Sequence, residues 1–134
     1  MSEKRSRPTL RGTVRVVLAV FFIGAGLNHF RDPELYLGMM PNWLPWPVAC
    51  NWISGAAEIA GGIGLLIPRL RRIAGYGLIL LLIAVFPANV HAALIGPIPG
   101  MDVSPVALWL RLPFQPVFIG VVWWIALWRP AGER

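Results

Sequence analysis

The sequence predicts an all-α membrane protein, a bundle of four transmembrane helices with an interfacial outer segment. Hydrophobic residues make up 57% of its 134 residues and charged residues only 13%, whereas soluble domains carry roughly 25% charged residues. A soluble domain of this size has too small an interior to bury so much apolar surface. The chain also contains four apolar runs, and the length of each is close to the roughly 20 residues that a helix needs to cross a bilayer.

The apolar runs define the domain organisation. They cover residues 13–30, residues 48–67, residues 73–94, and a stretch that begins between Pro105 and Phe114 and ends at Trp128. We therefore predict a basic cytoplasmic tail over 1–12, one membrane domain over 13–128 and a short cytoplasmic tail over 129–134. The last run contains Pro113 and Pro116. Because proline lacks an amide hydrogen, these residues predict a kink in the helix or a segment at the membrane surface that precedes the span.

The basic residues predict the orientation of the bundle. Ten of the twelve lie before or at the start of the first run, between the second and third runs, or after the fourth, and only Arg31 and Arg111 lie on the other side. Because cytoplasmic loops are enriched in Lys and Arg, both termini are predicted to be cytoplasmic. Anionic lipid headgroups on that face account for the formal charge of +6, so no nucleic-acid partner is predicted.

The segment between the first two runs, "PELYLGMMPNWLPWP", is rich in Trp, Tyr, Met and Pro. Trp and Tyr favour the headgroup level of a bilayer. We predict that this segment lies along the outer surface as a short helix followed by extended turns.

Glu58 is the most informative residue of the chain, because it interrupts the apolar run "SGAAEIAGGIGLL". A charge at the centre of a bilayer costs about 2.5 to 3.5 kcal/mol on the insertion scale and usually faces the bundle interior. At the helical period, Asn51, Ser54 and Glu58 share one face. The second membrane helix is thus predicted to carry a polar stripe that runs inward from its outer end.

The other three helices also place polar side chains in the outer half of the membrane. We expect Glu58 to be the centre of a cluster with Asn89, Ser54 and either His29 or Arg111. His91 lies on a different helix face from Asn89 and is not included. The candidate ligand-binding or polar cluster is His29, Ser54, Glu58, Asn89, Arg111 and Gln115.

The chemistry that the sequence excludes is equally specific. Cys50 is the single cysteine and there are two histidines, so neither an intramolecular disulfide nor a cysteine-based metal cluster is predicted. No nucleophile–base pair, phosphate-binding loop or metal-ligand set is present. The sequence therefore predicts no catalytic residues, no metal site and no intrinsic cofactor, and it favours a protein that is not a stand-alone enzyme.

Six motifs together resemble the DoxX-like family of small bacterial membrane proteins. They are "GLNHF", "MMPNWLPWP", "SGAAEIAGGIGLLIP", "RRIAGYGL", "FPANVHAAL" and "RLPFQPVFIGVVWW", and they span about Val16 to Trp128. The resemblance implies a four-helix, multi-pass protein of the bacterial cytoplasmic (inner) membrane and a link to quinone-dependent redox complexes. The family positions carried over are His29, Pro41, Pro45, Ser54, Gly55, Glu58, Pro87, Asn89, Arg111 and Gln115.

Three functions stay open at this point. The first is an accessory subunit of a membrane redox system, with a quinone as candidate ligand in an outer-leaflet polar pocket and redox proteins as candidate partners. The second is a structural membrane anchor or assembly factor in which the polar groups fix helix register. The third is a small transporter or proton pathway. The sequence does not identify the ligand, the partner proteins or the oligomeric state.

Overall fold

The predicted all-α class is confirmed for the residues that the computed structural model describes, which are 9–96 and 102–132. These residues form helices, turns and short connections without a strand. Most of the predicted basic tail, together with residues 97–101 and 133–134, lies outside the described residues.

Five α-helices follow one another along the chain. They are α1 (Leu10–Arg31), α2 (Pro33–Met39), α3 (Pro47–Leu66), α4 (Arg71–Ile95) and α5 (Pro105–Val122), and a π-helical turn, Trp123–Leu127, extends α5. The short helix α2 lies within the aromatic segment predicted to contain one. Helices α1, α3, α4 and α5 form the bundle, and α2 contacts α1, α3 and α4 near one end of it.

Proline and glycine mark the helix boundaries. Pro33, Pro47 and Pro105 each occupy the first helical turn of α2, α3 and α5, where the missing amide hydrogen would have had no helical acceptor. Gly96 ends α4 with φ of 76°, a left-handed conformation that glycine adopts without steric cost. The sequence thus fixes the ends of the long helices by local backbone chemistry.

Three of the helices are long and apolar enough to cross a membrane: α1, α4 and α5 with its π-helical extension. Helix α3 has 20 residues, so its length is sufficient. It is not one of these three, because Asn51, Glu58 and four glycines lower its mean hydropathy. The same residues that make α3 less hydrophobic are those through which it contacts its neighbours.

The helix of the fourth predicted run begins at the first residue of the predicted range for its start. Helix α5 starts at Pro105 and includes both Pro113 and Pro116 without interruption. The irregularity occurs instead at its other end, where Trp128 donates its amide hydrogen to the carbonyl oxygen of Trp123 at 2.9 Å. This five-residue spacing defines a π-helical turn, which leaves nearby carbonyl groups without the usual helical donors.

Helices α1 and α3 approach each other closely through glycines. A Cβ atom on Gly26 would lie 2.6 Å from the carbonyl oxygen of Gly55, and one on Gly62 would lie 2.8 Å from that of Ala19. Small residues at membrane helix interfaces permit such close backbone contact. Two other glycines, Gly61 and Gly64, contact Leu78 and Ala74 of α4 in the same way.

Two buried apolar clusters fill the bundle. The larger one includes Leu18, Phe22, Leu65, Leu78 and Ile125, which come from α1, α3, α4 and the π-helical turn. The smaller one joins Met39 of α2 to Ala92, Ala93 and Leu108 of α4 and α5. Many large hydrophobic side chains remain on the outside of the bundle, so the apolar surface is greater than this interior holds.

Replacing Gly26 with alanine tests the close contact of α1 and α3. The new Cβ would also lie 2.9 Å from the backbone nitrogen of Ile59, so the helices must separate, and we expect unfolding to become easier by about 1 to 3 kcal/mol. Gly24→Ala is the matched control, because a Cβ at Gly24 meets nothing within 4 Å. Thermal unfolding in detergent micelles, followed by circular dichroism, measures both. Equal stability of the two variants would contradict the packing described.

Candidate functional site

The imidazole of His29 is held by the side-chain amide of Asn51. Nδ1 of His29 lies 2.7 Å from Oδ1 of Asn51, and Nδ2 of Asn51 donates to the backbone carbonyl oxygen of His29 at 3.0 Å. His29 is 7% exposed and Asn51 is completely buried. The paired contacts fix both the ring of His29 and the position of α3 along α1.

The hydrogen bonds of Asn51 determine which ring nitrogen of His29 carries a proton. Because Nδ2 of Asn51 faces a carbonyl oxygen, its Oδ1 must be the atom that faces the ring, and an amide oxygen only accepts. Nδ1 of His29 is therefore the donor in that contact. The other ring nitrogen, Nε2, is left to interact with whatever lies on the opposite side of the ring.

Glu58 lies on that opposite side. Its Oε2 atom is 3.4 Å from Nε2 of His29, beyond the about 2.7 to 3.2 Å typical of a hydrogen bond from nitrogen to oxygen. Oε2 is buried and has no hydrogen-bond partner among the described residues, although the whole Glu58 side chain is 17% exposed. Part of the Glu58 side chain is thus accessible to solvent, and its buried Oε2 atom is free to accept a hydrogen bond.

His29 and Glu58 together can hold one proton between Nε2 and Oε2. If the proton is on the ring, the pair is an imidazolium facing a carboxylate, and if it is on the carboxyl group, both side chains are neutral. The two forms differ only in whether the proton is bound to Nε2 of His29 or to Oε2 of Glu58. Such an arrangement can bind a group that donates a hydrogen bond or one that accepts it.

Tyr36 of α2 closes the site from the outer side. Its ring stacks on the imidazole of His29, with centroids 3.7 Å apart and planes 18° from parallel. The hydroxyl of Tyr36 accepts a hydrogen bond at 2.9 Å from Nδ2 of Asn28. The short outer helix is therefore fastened directly to the polar site.

A second polar cluster joins α4 to α5. Nδ2 of Asn89 donates to Oε1 of Gln115 at 2.6 Å, and Nε2 of Gln115 donates to the carbonyl oxygen of Leu82. Gln115 is 5% exposed. Leu82 lies five residues before the helix-internal Pro87, and the carbonyl group that loses its helical donor to this proline is that of the next residue, Ile83.

The predicted single cluster is therefore divided. The structure brings His29 and Glu58 together, and it brings Asn89 and Gln115 together, but no hydrogen bond or ion pair among the described residues connects the two pairs. Asn89 donates to Gln115 on α5, and no hydrogen bond joins it to Glu58 among the described residues. The sequence placed these residues at similar predicted depths, but the helices that present them are paired differently.

Arg111 and Ser54 are placed differently from the prediction. The Arg111 Nη1 atom donates to the sulfur of Met39 at 3.2 Å, so its guanidinium is directed toward α2 and away from Glu58. Ser54 is half-buried, and no side-chain hydrogen bond joins it to Glu58. His91, excluded from the predicted cluster, contacts the carbonyl oxygen of Met39 through Nδ1 at 3.2 Å.

Two residues of the site were absent from the predicted cluster. Asn51 was recognised as part of the polar stripe on α3, two turns before Glu58, and that spacing was a sufficient signal for its inclusion. Tyr36 gave no comparable signal, because its contact with His29 depends on how the chain turns between α1 and α2. Its position in an aromatic surface segment favoured the simpler interpretation of a membrane anchor.

Two cavities lie elsewhere in the bundle. One, of about 280 Å³, is lined by small and apolar residues of α3 and α4, including Gly61, Gly64 and Leu78. The other, of about 210 Å³, lies among arginines at the opposite end from Glu58. Within the described part of the chain, no group of three His, Cys, Asp or Glu side chains is arranged to hold a metal ion.

Comparison with known proteins places the chain in a family. The model of a family described as "Domain of unknown function (DUF8561)" matches residues 18–126. The chain belongs to this family. No curated protein and no solved structure matches the chain.

Replacing Asn51 with leucine tests the role of its amide. Leucine has a similar volume but leaves both the His29 carbonyl and the Nδ1 hydrogen without partners, so we expect a loss of about 1 to 3 kcal/mol in stability. Asn42→Leu is the matched control, since Asn42 is exposed. Thermal unfolding in micelles reports the difference, and a loss as large in Asn42→Leu would contradict this account of Asn51.

Proposed function

We propose that this member of the DUF8561 family is an accessory subunit of a quinone-linked redox system in the bacterial inner membrane. In this proposal α1, α3, α4 and α5 all cross the bilayer. The His29–Glu58 pair binds the polar head of a quinone or quinol near the outer surface, and partner proteins carry out the electron transfer.

The outer surface of the bundle supports the membrane assignment. Exposed hydrophobic residues occur on every long helix, and α3 itself exposes Trp52, Ile53 and Ile63. Such a surface is stable against lipid and unfavourable in water. Helix α3 reaches bilayer length, and its Glu58 faces α1, as expected of an ionisable residue in a transmembrane helix.

The distribution of arginines supports an orientation with both termini in the cytoplasm. Arg11, Arg15, Arg71, Arg72 and Arg129 gather at one end of the bundle. The opposite end, where α2 lies, carries Arg31 beside the carboxylates of Asp32 and Glu34. An excess of positive charge marks the cytoplasmic side, so the polar site faces the outer leaflet in this proposal.

The observation that carries the proposal is the buried Oε2 atom of Glu58, which has no hydrogen-bond partner among the described residues. A buried polar atom without a partner costs about 1 to 3 kcal/mol, so a bound hydroxyl group would stabilise the site. A quinol hydroxyl donates such a bond to Oε2, and a quinone carbonyl accepts one from protonated Nε2 of His29. The His29–Glu58 pair can therefore bind the polar head of the ligand in both the quinone and the quinol state.

The surroundings of the pair fit a flat ring with an apolar tail. Tyr36 provides an aromatic face beside His29, and stacking against such a face stabilises a second ring. Exposed apolar side chains of the neighbouring helices, including Leu27 and Phe30, would contact the tail. The resemblance of the sequence motifs to DoxX-like proteins supports the link to quinone chemistry.

A structural role is the second candidate, and the other polar contacts favour it. Asn51 and Gln115 are buried and hydrogen-bonded to neighbouring helices, which is sufficient to fix the register of α1 against α3 and of α4 against α5. Neither cavity described above includes Glu58. In this alternative the protein is an anchor or assembly factor, and Glu58 only completes the helix contact.

The topology is tested by reporter fusions. Fusions after Arg69 and after Arg129 are expected to give a cytoplasmic signal, and a fusion after Asn42 a periplasmic signal, because the arginine-rich end is retained inside. Alkaline phosphatase and green fluorescent protein report the two compartments. A periplasmic signal after Arg69 would overturn the proposed orientation.

The ligand is tested by quinol binding. Titrating the purified protein in micelles with a short-chain quinol is expected to quench tryptophan fluorescence, and Glu58→Gln is expected to weaken binding at least about tenfold. Glutamine keeps the shape of the side chain but lacks the carboxylate acceptor, and a hydrogen bond to a charged group contributes about 1.5 to 3 kcal/mol.

Glu34→Gln is the matched control, because Glu34 is an exposed carboxylate at the same end of the molecule. It is expected to bind the quinol as the unaltered protein does. If Glu58→Gln also binds unchanged, or if the unaltered protein does not bind, the ligand proposal is wrong and the structural role is favoured. Circular dichroism spectra of both variants check that they are folded.

A further inference from the structure

The end of the bundle opposite Glu58 contains a second site of different chemistry. A cavity of about 210 Å³ lies where α1, the connection between α3 and α4, and the end of the chain meet. Five arginines line it, namely Arg11, Arg15, Arg71, Arg72 and Arg129. Drug-sized ligands occupy about 300 to 1,000 Å³, so this cavity suits a small group and not a whole cofactor.

Three of these arginines are held in place by backbone carbonyl groups. Arg11 donates to Trp124 at 2.9 Å and to Trp128 at 2.6 Å, and Arg15 donates twice to Ile125, at 3.2 and 2.9 Å. Arg71 donates to Leu65 at 3.0 Å. A guanidinium has more N–H donors than these bonds use, so each keeps hydrogen-bonding capacity for a ligand.

The positive charge of the cavity is not balanced by a carboxylate within the described residues. The ion pair that the described residues form, between His29 and Glu58, is at the other end of the bundle. The Arg15 guanidinium is repelled by those of Arg71 and Arg11, and holding like charges together costs free energy unless an anion offsets them. The arrangement is therefore more stable with an anion bound.

Helix α4 adds a further attraction for an anion. It begins at Arg71, and no side chain caps its first amide groups. The amino end of a helix carries a partial positive charge and unpaired N–H groups, which stabilise a negative group nearby. Arg71 and Arg72 thus contribute both their side chains and the start of their helix.

We propose that this arginine cavity binds a phosphate group, supplied by the headgroup of an anionic phospholipid of the surrounding leaflet. The cavity opens at the end of helices whose outer faces are apolar. When the phosphate of a lipid is bound there, the acyl chains of that lipid lie against the apolar faces of α1 and α4. Basic pockets between transmembrane helices bind anionic headgroups in this way. The inference does not depend on quinol binding at Glu58.

Arg72 and Arg129 provide the sharpest test, because both line the cavity, are exposed and donate no side-chain hydrogen bond within the described part of the chain. The full chain in micelles is titrated by calorimetry with short-chain phosphatidylglycerol. Arg72→Gln alone is expected to weaken binding about fivefold, and Arg72→Gln with Arg129→Gln about twenty-five-fold, since each arginine near an anionic lipid contributes about one factor of five.

Arg31→Gln with Arg69→Gln is the matched control. Both residues are exposed and lie outside the cavity lining, and Arg69 belongs to the same connection as Arg71. This pair removes the same charge and is expected to keep the affinity of the unaltered protein. An equal loss in the control, or no loss in the cavity variant, would overturn the proposal, because diffuse surface charge would then account for any binding.

Two further titrations distinguish the source of the phosphate. Phosphatidylcholine of the same chain length is expected to bind more weakly, because its headgroup has no net charge. Inorganic phosphate is also expected to bind more weakly than phosphatidylglycerol. If inorganic phosphate binds as tightly as phosphatidylglycerol, the cavity is a phosphate site but its occupant is a soluble compound. If neither phosphatidylglycerol nor inorganic phosphate binds, the site is refuted.

Discussion

The close contact of α1 and α3 determines the positions of His29, Asn51 and Glu58. A Cβ on Gly55 would lie 2.7 Å from the Cβ of His29, so no larger residue fits between the two helices. At this separation the short side chain of Asn51 reaches the backbone of α1, and Glu58 reaches the far side of the imidazole. The glycines therefore position the polar site as well as packing the helices.

The helices and the polar face of α3 follow from the sequence, but the pairing of polar side chains across helices does not. Asn51 and Glu58 share a face because of the helical period, and this requires only local geometry. Whether Asn89 contacts Glu58 or Gln115 depends on which helices adjoin and how they are rotated. A single sequence does not specify that arrangement, since the depths of these residues are similar and the apolar surfaces of the helices resemble one another.

The two ends of the bundle differ in chemistry and are separated by a packed apolar region. One end holds the facing side chains of His29 and Glu58, and the other holds a group of arginines. Phe22, Leu65 and Leu78 lie between them and are nearly inaccessible. This packed apolar region keeps the two groups of polar side chains apart.

The bonds from α1 to the π-helical turn also have a consequence for the order of assembly. Arg15 is made early in synthesis, and the carbonyl group of Ile125 that it binds follows 110 residues later. The side chains of Arg11 and Arg15 thus reach their final hydrogen bonds only after the last helix has been made.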